Sequence, residues 1–317
     1  MAKKDNQQVC FRTSIGGQAL MEGILMRGPE KQAIVCRTEN GIVEKVEELS
    51  FVKDKHPVLG WPFVRGVFTL VDSLAKGMKA LTYSASLLPE DQQEEPTKFD
   101  LWLEKRLGSE KAEKIVIGSA AVLGVLLALA LFIFLPTFIA GLIPGLEGRY
   151  TLRSLVEGVI KLAIFLGYLG LVARMKEIKR LFSYHGAEHK TIFCYEKGLP
   201  LTVENVRPQS RFHPRCGTSF LLVVIILGLL AGLLIQADNT LLRIALRLLL
   251  LPVIIALAYE LNRWAGRHDT NIVSRVVTWP GKQLQRLTTA EPDDGMIECA
   301  IRAMELVIPE EKGKDAW

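Results

Sequence analysis

Cysteine is scarce in this sequence, and the spacing of its few cysteines does not match a disulfide framework. The five cysteines are scattered and no two form a C-x-x-C pair: Cys10, Cys36, Cys194, Cys216 and Cys299. An odd, unpaired set of this kind is typical of reduced thiols inside a cell. The opening stretch MAKKDNQQVCFRTSIGG also lacks the apolar segment of a secretory signal peptide, so we expect none.

Charge is missing from long stretches of the chain, although 23% of all residues are charged. Residues 115–146 carry no charged side chain at all. A helix needs about 20 apolar residues to cross a bilayer core, so this run covers one span. Further apolar runs occupy 155–173, 216–237 and 241–259. The sequence therefore predicts a mainly α protein built on a four-span transmembrane helical bundle.

Lysine and arginine near these runs predict the orientation of the bundle. The connection between the second and third runs, 174–215, holds nine of them: Arg174, Lys176, Lys179, Arg180, Lys190, Lys197, Arg207, Arg211 and Arg215. The connection between the first two runs offers only Arg149 and Arg153. Cytoplasmic loops are enriched in these residues, so we expect 174–215 and both termini to be cytoplasmic.

The segments outside the runs predict small folded units. The stretch QAIVCRTENGIVEKVEEL alternates around Asn40-Gly41, which is a strong hairpin signal. An amphipathic helix should follow at 64–81, either lying in the membrane interface or packing on the hairpin. After Asp293-Asp294, apolar residues at helical spacing predict a C-terminal helix that docks on the N-terminal unit. We divide the chain into a small α+β cytoplasmic unit (1–110), the membrane domain with its motif loop 174–215 (111–269) and C-terminal amphipathic helices (270–317).

A histidine motif lies in SYHGAEHKTIFCYEKG, residues 183–198. It has the pattern H-x-x-E-H, formed by His185, Glu188 and His189. On a helix that continues from the second span, these three side chains would share one face. Imidazoles at i and i+4 can bind one ion, and the glutamate can act as general base. The motif therefore predicts a divalent metal site, with zinc as the expected metal.

Two histidines do not hold a metal firmly, so a third protein ligand is needed. The predicted topology brings His213, Cys216 and Glu260 to the membrane face that carries the motif. Arg215 or Arg263 could then stabilise a developing oxyanion. His268 and Asp269 follow the fourth run and are expected at the same membrane face. Alternatively, these histidines bind lipid headgroups or satisfy backbone carbonyls at helix ends.

The stretch GGQALMEGILMRGPEK, residues 16–31, is a second unusual feature. Gly16-Gly17 permits a close approach of backbone to another group. The Met and Leu residues favour packing, which leaves Glu22 and Arg27 as a candidate functional pair. The stretch is not a phosphate loop, because the terminal Lys-Ser/Thr is missing.

Four charges lie within the predicted second and fourth spans. Glu157 with Lys161, and Arg243 with Arg247, are each four residues apart. Charges inside a membrane are costly and are usually paired or functional. They form either a polar groove between helices, or a Glu157–arginine pair with the remaining side chains reaching towards headgroups.

Four motifs in order carry a family resemblance: GGQALMEGILMRGP, YHGAEHKTIFCYE, FHPRCGTSF and WPGKQLQRLTTAEPDDGMIECAI. Together they resemble the YqhQ-like family of bacterial polytopic membrane proteins. The resemblance implies a multi-pass protein of the bacterial cytoplasmic membrane. The family is catalogued as a domain of unknown function and is labelled a predicted metal-dependent enzyme, so the resemblance supports the membrane prediction more than the catalytic one.

These observations predict a metal-dependent hydrolase at the cytoplasmic membrane interface. His185 and His189 would bind zinc, with His213, Cys216 or Glu260 completing the site, and Glu188 and Arg215 would be catalytic. Substrates would be a peptide or membrane protein at the bilayer, or a lipid headgroup. The alternative is a non-enzymatic membrane factor that binds a partner protein in membrane-protein biogenesis or complex assembly. Four spans without an internal repeat argue against a transporter unless the chain oligomerises, and no motif indicates nucleic acid.

Overall fold

The computed structural model describes residues 11–49, 57–89, 97–268 and 271–317. They form two compact units. The first unit combines the described residues up to 89 with 170–224 and 255–317. The second unit combines 97–169 with 225–254. Helices dominate both units, and the first also contains a small sheet, as the sequence predicts.

The α-helices follow the chain in this order: α1 Arg65–Ser86, α2 Lys98–Leu107, α3 Ser109–Leu129, α4 Leu135–Gly141, α5 Tyr150–Val172, α6 Lys176–Glu196, α7 Val203–Val206, α8 Gly217–Leu233, α9 Thr240–Arg267, α10 Ile272–Thr288 and α11 Asp294–Glu305. A π-helical turn, Ala130–Phe134, joins α3 to α4. A 3-10 turn, Pro57–Gly60, precedes α1.

The sheet has four antiparallel strands in the order β1-β2-β3-β4: β1 Gly16–Leu20, β2 Gly23–Arg27, β3 Lys31–Thr38 and β4 Gly41–Glu48. The predicted hairpin joins β3 to β4, with Thr38 opposite Gly41. The turn therefore lies at Glu39 and Asn40, one residue earlier than predicted. Gly41 has a φ of +114°, a conformation that favours glycine.

Both faces of the sheet are covered within the first unit. Side chains alternate along a strand, so neighbouring residues of one strand enter different layers. One layer packs against α6 and α11 and buries Ile24, Met26, Ala33 and Val35. The other packs against Ala80 of α1 and buries Leu20, Leu25, Ile34 and Cys36. The predicted C-terminal helix is α11, and Oδ1 of its N-cap Asp293 accepts a hydrogen bond from Met296 N at 2.9 Å.

Helix α1 packs through small residues instead of through its apolar stripe. Its buried positions are Gly66, Gly77, Ala80 and Ser84. An added Cβ at Gly77 would overlap the Gln18 amide of β1. Phe68, Val71 and Leu74 are exposed. The helix therefore packs on the sheet and leaves an apolar face open.

Three helices of the described residues are long and apolar enough to cross a membrane: Ile115–Gly141, Tyr150–Val172 and Thr240–Arg267. These are three of the four predicted spans. The remaining run, 216–237, forms α8, which has 17 residues and ends at Leu233, four residues short of the predicted end.

The predicted motif loop 174–215 is largely helical. Residues Lys176–Glu196 form α6, and Val203–Val206 form α7. Helix α5 ends at Val172, so α6 is a separate helix and does not continue the second apolar helix.

Candidate metal centre

The H-x-x-E-H motif lies near the middle of α6, on the helix face that is buried in the first unit. His189 and Glu188 are 1% and 5% exposed, and His185 is half-buried. The segment after α10 runs beside this face, since Ala290 N donates to Phe182 O at 2.8 Å. Gly186 makes this approach possible, because a Cβ there would overlap Ala290 O.

His185, His189 and Cys216 form a compact group of potential metal ligands. One ligand atom from each lies within 4.8 Å of the other two. His185 Nε2 is 3.2 Å from Cys216 Sγ, and the two imidazole centroids are 4.4 Å apart. Cys216 directly precedes α8, so the start of that helix brings the thiol to α6. The structure thus places together three of the five residues that the sequence predicted as ligands.

Backbone carbonyls fix the orientation of both imidazoles. His185 Nδ1 is 2.8 Å from Thr288 O, and His189 Nδ1 is 2.6 Å from Arg211 O. A carbonyl oxygen can only accept, so each Nδ1 must carry the proton. Nε2 is then the nitrogen of each neutral ring that can form a bond to a ligand. Histidines that bind metals in proteins are commonly anchored in this way.

The three side chains also interact electrostatically. Burial alone would raise the pKa of Cys216, but His185 and His189 outweigh it and hold that pKa well below its usual range. Burial alone would lower the pKa of His185, but Cys216 outweighs it and raises the value to about 9. Without a metal, the pair is therefore a thiolate beside an imidazolium. The thiolate is also the form that binds metals.

Glu188 is held by the glycine stretch of β1. Its Oε1 accepts a hydrogen bond from Gly17 N at 2.9 Å. A Cβ added at Gly17 would lie 3.1 Å from Glu188 Cδ, whereas one at Gly16 would meet nothing within 4 Å. Among the described residues, Glu188 Oε2 has no hydrogen-bond partner. Burial raises the pKa of this carboxyl, opposed by His185 and His189.

His213 lies beside the ligand group but belongs to a different network. Its ring centroid is 5.6 Å from that of His189. Its Nε2 is 3.7 Å from Glu196 Oε2 and 3.4 Å from Arg215 Nη2. Burial, followed by the nearby Arg215, lowers the pKa of His213 well below its usual value. His213 is therefore neutral and faces the Arg215–Glu196 pair.

Arg215 forms a buried ion pair with Glu196, and their side chains are 5% and 2% exposed. The guanidinium also lies over the Trp317 ring. The role of Arg215 in oxyanion stabilisation stays a prediction. In this arrangement the ion pair fixes the position of Arg215, which directly precedes Cys216 in the chain.

Glu260 does not join the ligand group. Its carboxylate accepts from Arg65 Nε at 2.8 Å and from Arg65 Nη2 at 2.5 Å. His268 Nδ1 is bound to Trp264 O at 2.9 Å, and its ring stacks on Trp264. Asp269 and Cys10 lie outside the described residues.

Glu22 and Arg27 also have separate partners. Glu22 pairs with Arg180, with an Nη2–Oε2 distance of 2.6 Å. Arg27 donates to Gln32 and Ser73. These contacts do not join the two residues into the pair that the sequence suggested.

Sequence reasoning missed the residues that support the ligands. Gln285 of α10 holds the His213 backbone, accepting from its N at 2.8 Å and donating to its O at 2.7 Å. Thr288 supplies the carbonyl for His185. Gln285 and Thr288 both lie in the stretch WPGKQLQRLTTAEP. This stretch belongs to one of the motifs that carry the family resemblance, and that was the sequence signal that could have indicated them.

Comparison with known proteins agrees with the resemblance. The model of the family described as Protein of unknown function (DUF1385) matches residues 61–310. The chain is 34% identical over 292 residues to "Uncharacterized protein YqhQ" of Bacillus subtilis (strain 168), covering 91% of this chain and 90% of that protein. No solved structure matches. Neither description names a metal or an activity, so the metal-dependent chemistry stays a prediction. The chain belongs to the DUF1385 family.

Proposed function

We propose that this protein binds zinc through His185, His189 and Cys216 and is a metal-dependent hydrolase of the bacterial cytoplasmic membrane. The observation that carries the proposal is the orientation of the ligands. Both imidazoles donate through Nδ1 to backbone carbonyls, His185 Nε2 lies 3.2 Å from Cys216 Sγ, and a ring nitrogen of His189 lies within 4.8 Å of that thiol. Two imidazoles and one thiolate are ligands that zinc accepts.

The observed spacing fits that metal. With typical zinc bond lengths at a tetrahedral angle, a nitrogen and a sulfur ligand are separated by about 3.6 Å. The observed separation of His185 Nε2 and Cys216 Sγ is 3.2 Å. A small rotation of either side chain makes up this difference.

His185, His189 and Cys216 would hold the zinc and leave it one open position, where it would supply Lewis-acid chemistry and make water more acidic. Glu188 is the candidate general base. Its raised pKa and its unpartnered Oε2 suit a carboxylate that takes a proton from an attacking water. The Gly17 amide holds the other oxygen, so the carboxylate keeps its direction as it gains the proton.

The substrate class follows from the surroundings. Cys216 directly precedes the apolar helix α8, so a substrate at the bilayer surface is expected: a peptide, a membrane protein or a lipid headgroup. Burial of Glu188 and His189 favours the second candidate function, a non-enzymatic membrane factor that binds a partner protein. In that case zinc would only be structural.

The Glu188→Gln variant separates the two functions. In a hydrolase, this variant keeps its zinc and fold but loses the release of product from bilayer-bound peptide and lipid substrates. His268→Ala, which alters a histidine outside the ligand group, is the matched control and should keep both. Zinc-loaded wild type without turnover on either substrate class, together with a Glu188→Gln variant that restores the growth of a deletion strain, would establish the non-enzymatic function instead.

A further inference from the structure

The second unit buries several charges among apolar helices. Arg153 and Glu157 on α5, and Arg243 and Arg247 on α9, are each at most 9% exposed. All four lie within the first eight residues of helices that are long enough to cross a membrane. Buried charges in such helices are costly unless they are compensated or used.

One arginine of this group is fully compensated. Arg243 Nε is 3.1 Å from Glu157 Oε1, and its Nη2 donates to Ser154 Oγ at 2.7 Å. Its Nη1 donates to the carbonyls of Ile235 and Ala237 at 3.2 and 3.0 Å. Every nitrogen of this guanidinium has an acceptor, so Arg243 and Glu157 form a complete structural pair.

The guanidinium groups of the other two arginines, Arg153 and Arg247, are not fully hydrogen-bonded. Arg247 donates from Nη1 to Thr137 Oγ1 at 3.2 Å, and its Nη2 contacts Glu157. Arg153 donates from Nη1 to Asp238 O at 2.8 Å and from Nη2 to Thr240 Oγ1 at 2.9 Å. Its Nε is 3.4 Å from Glu157 Oε1 without forming a hydrogen bond. In both arginines, Nε is buried and has no hydrogen-bond partner among the described residues. A buried donor without an acceptor carries the full cost of its lost hydration.

The charges do not balance either. Three buried guanidinium groups face the single buried carboxylate of Glu157. A second carboxylate, Asp238, is exposed and accepts from Gly148 N and the Tyr150 hydroxyl at 3.1 and 2.9 Å. Lys161 adds a further cation one helical turn after Glu157. Within the described part of this unit, the cluster therefore has an excess of positive charge.

We propose that Arg153 and Arg247 form a binding site for a phosphate-bearing anion between α5 and α9. Guanidinium groups match phosphate oxygens in geometry as well as in charge. The N-terminal ends of both helices add positive potential. Seven residues of helix rise about 10 Å, so the site lies close to the helix ends, where bilayer phosphates are found. Glu157 holds the two guanidinium groups in place.

The same phosphate chemistry can come from a lipid headgroup or from free phosphate. Native mass spectrometry of the full chain in detergent, reloaded with phosphatidylglycerol or phosphatidylcholine, measures retention of the lipid. Thermal unfolding of delipidated protein in inorganic phosphate, compared with chloride at equal ionic strength, measures the free anion. We expect selective retention of phosphatidylglycerol, a phosphate-dependent rise in the unfolding temperature, or both.

Variants locate the site. Arg247→Gln and Arg153→Gln should each weaken the selective binding about ten-fold or more, as expected for a lost charge-assisted hydrogen bond. Arg106→Gln removes an exposed arginine of the same unit and should bind as wild type does. If Arg247→Gln does not fold, Arg247→Lys keeps the charge without the fork and should still bind more weakly.

Wild type that neither prefers the anionic lipid nor responds to phosphate would overturn the proposal. Unchanged binding in folded variants of both Arg153 and Arg247 would overturn it equally. Because the site lies in the second unit, zinc content provides an independent check that each variant has kept the fold of the first unit.

Discussion

Gly17 is the residue at which the sheet meets the candidate metal centre. Its amide donates to Glu188 Oε1, and its missing side chain leaves room for the carboxylate. A Cβ at this position would lie 2.5 Å from Leu25 O and 3.1 Å from Glu188 Cδ. The two strands would have to separate at Leu25 O, and the Glu188 carboxyl would have to move by a few tenths of an ångström.

Gly17→Ala should therefore destabilise the protein by about 1–3 kcal/mol, the usual cost of overpacking. It should also reduce turnover by displacing Glu188. Gly16→Ala is the matched control, since its Cβ meets nothing within 4 Å. Thermal unfolding of the two variants measures the difference. Equal unfolding temperatures would contradict the close packing at Gly17, and equal turnover would show that β1 does not hold Glu188 as described.

Of the individual residues at the candidate metal centre, the sequence predicted only part. The i, i+4 spacing placed His185 and His189 on one face, and the topology argument brought Cys216 to them. The same topology argument predicted Glu260, but reaching the same membrane face does not determine the distance between two side chains. The Glu260 carboxylate instead forms an ion pair with Arg65, a residue that no sequence pattern indicated.

Among the elements, α10 presents the clearest open apolar surface. Ile272, Val276 and Trp279 are 76, 68 and 62% exposed. The opposite side of the helix buries Gly281 and Gln285. Helix α10 begins five residues after the end of α9, a candidate span, so its open face is suited to the membrane interface.

We expect Trp279 to sit at the depth of the lipid headgroups. Brominated phospholipids in reconstituted vesicles should quench its fluorescence. The quenched component should be absent from Trp279→Phe. Identical quenching of wild type and Trp279→Phe would instead place this face away from lipid.

The elements were predicted unevenly, for physical reasons. Long apolar runs and the β3–β4 hairpin carry strong local signals. The β1–β2 hairpin does not, because its turn is made by Met21 and Glu22, with Glu22 at a φ of +50°. The prediction for α1 was based on the apolar stripe of its large side chains, whereas its small residues form the contact with the sheet.

For the whole molecule, the two ends of the described chain meet. Thr13 bridges Ala316, and Trp317 N donates to Arg12 O at 3.0 Å. Two segments that are hydrogen-bonded to each other lie on the same side of a membrane. An even number of crossings is then expected, and the four-span prediction meets this condition if α8 crosses in addition to the three longer helices. Its 17 residues span about 26 Å, which is short but workable for a bilayer core.

Membrane topology tests this count. Cysteines introduced at Glu147 and at Asn239, in the α4–α5 and α8–α9 connections, should react with an impermeant maleimide in intact cells. Glu204→Cys, in α7, should react only after permeabilisation. Protection of Asn239→Cys in intact cells would mean that α8 does not cross and that the predicted four-span topology is wrong.

The zinc content of the purified protein tests the central claim most directly. Mass spectrometry of protein purified without chelator should find about one zinc per chain in wild type and in His268→Ala. The His185→Ala/His189→Ala variant and Cys216→Ser should be folded and lose it. Wild type that stays metal-free after zinc reconstitution, or a double variant that keeps its zinc, would contradict the account.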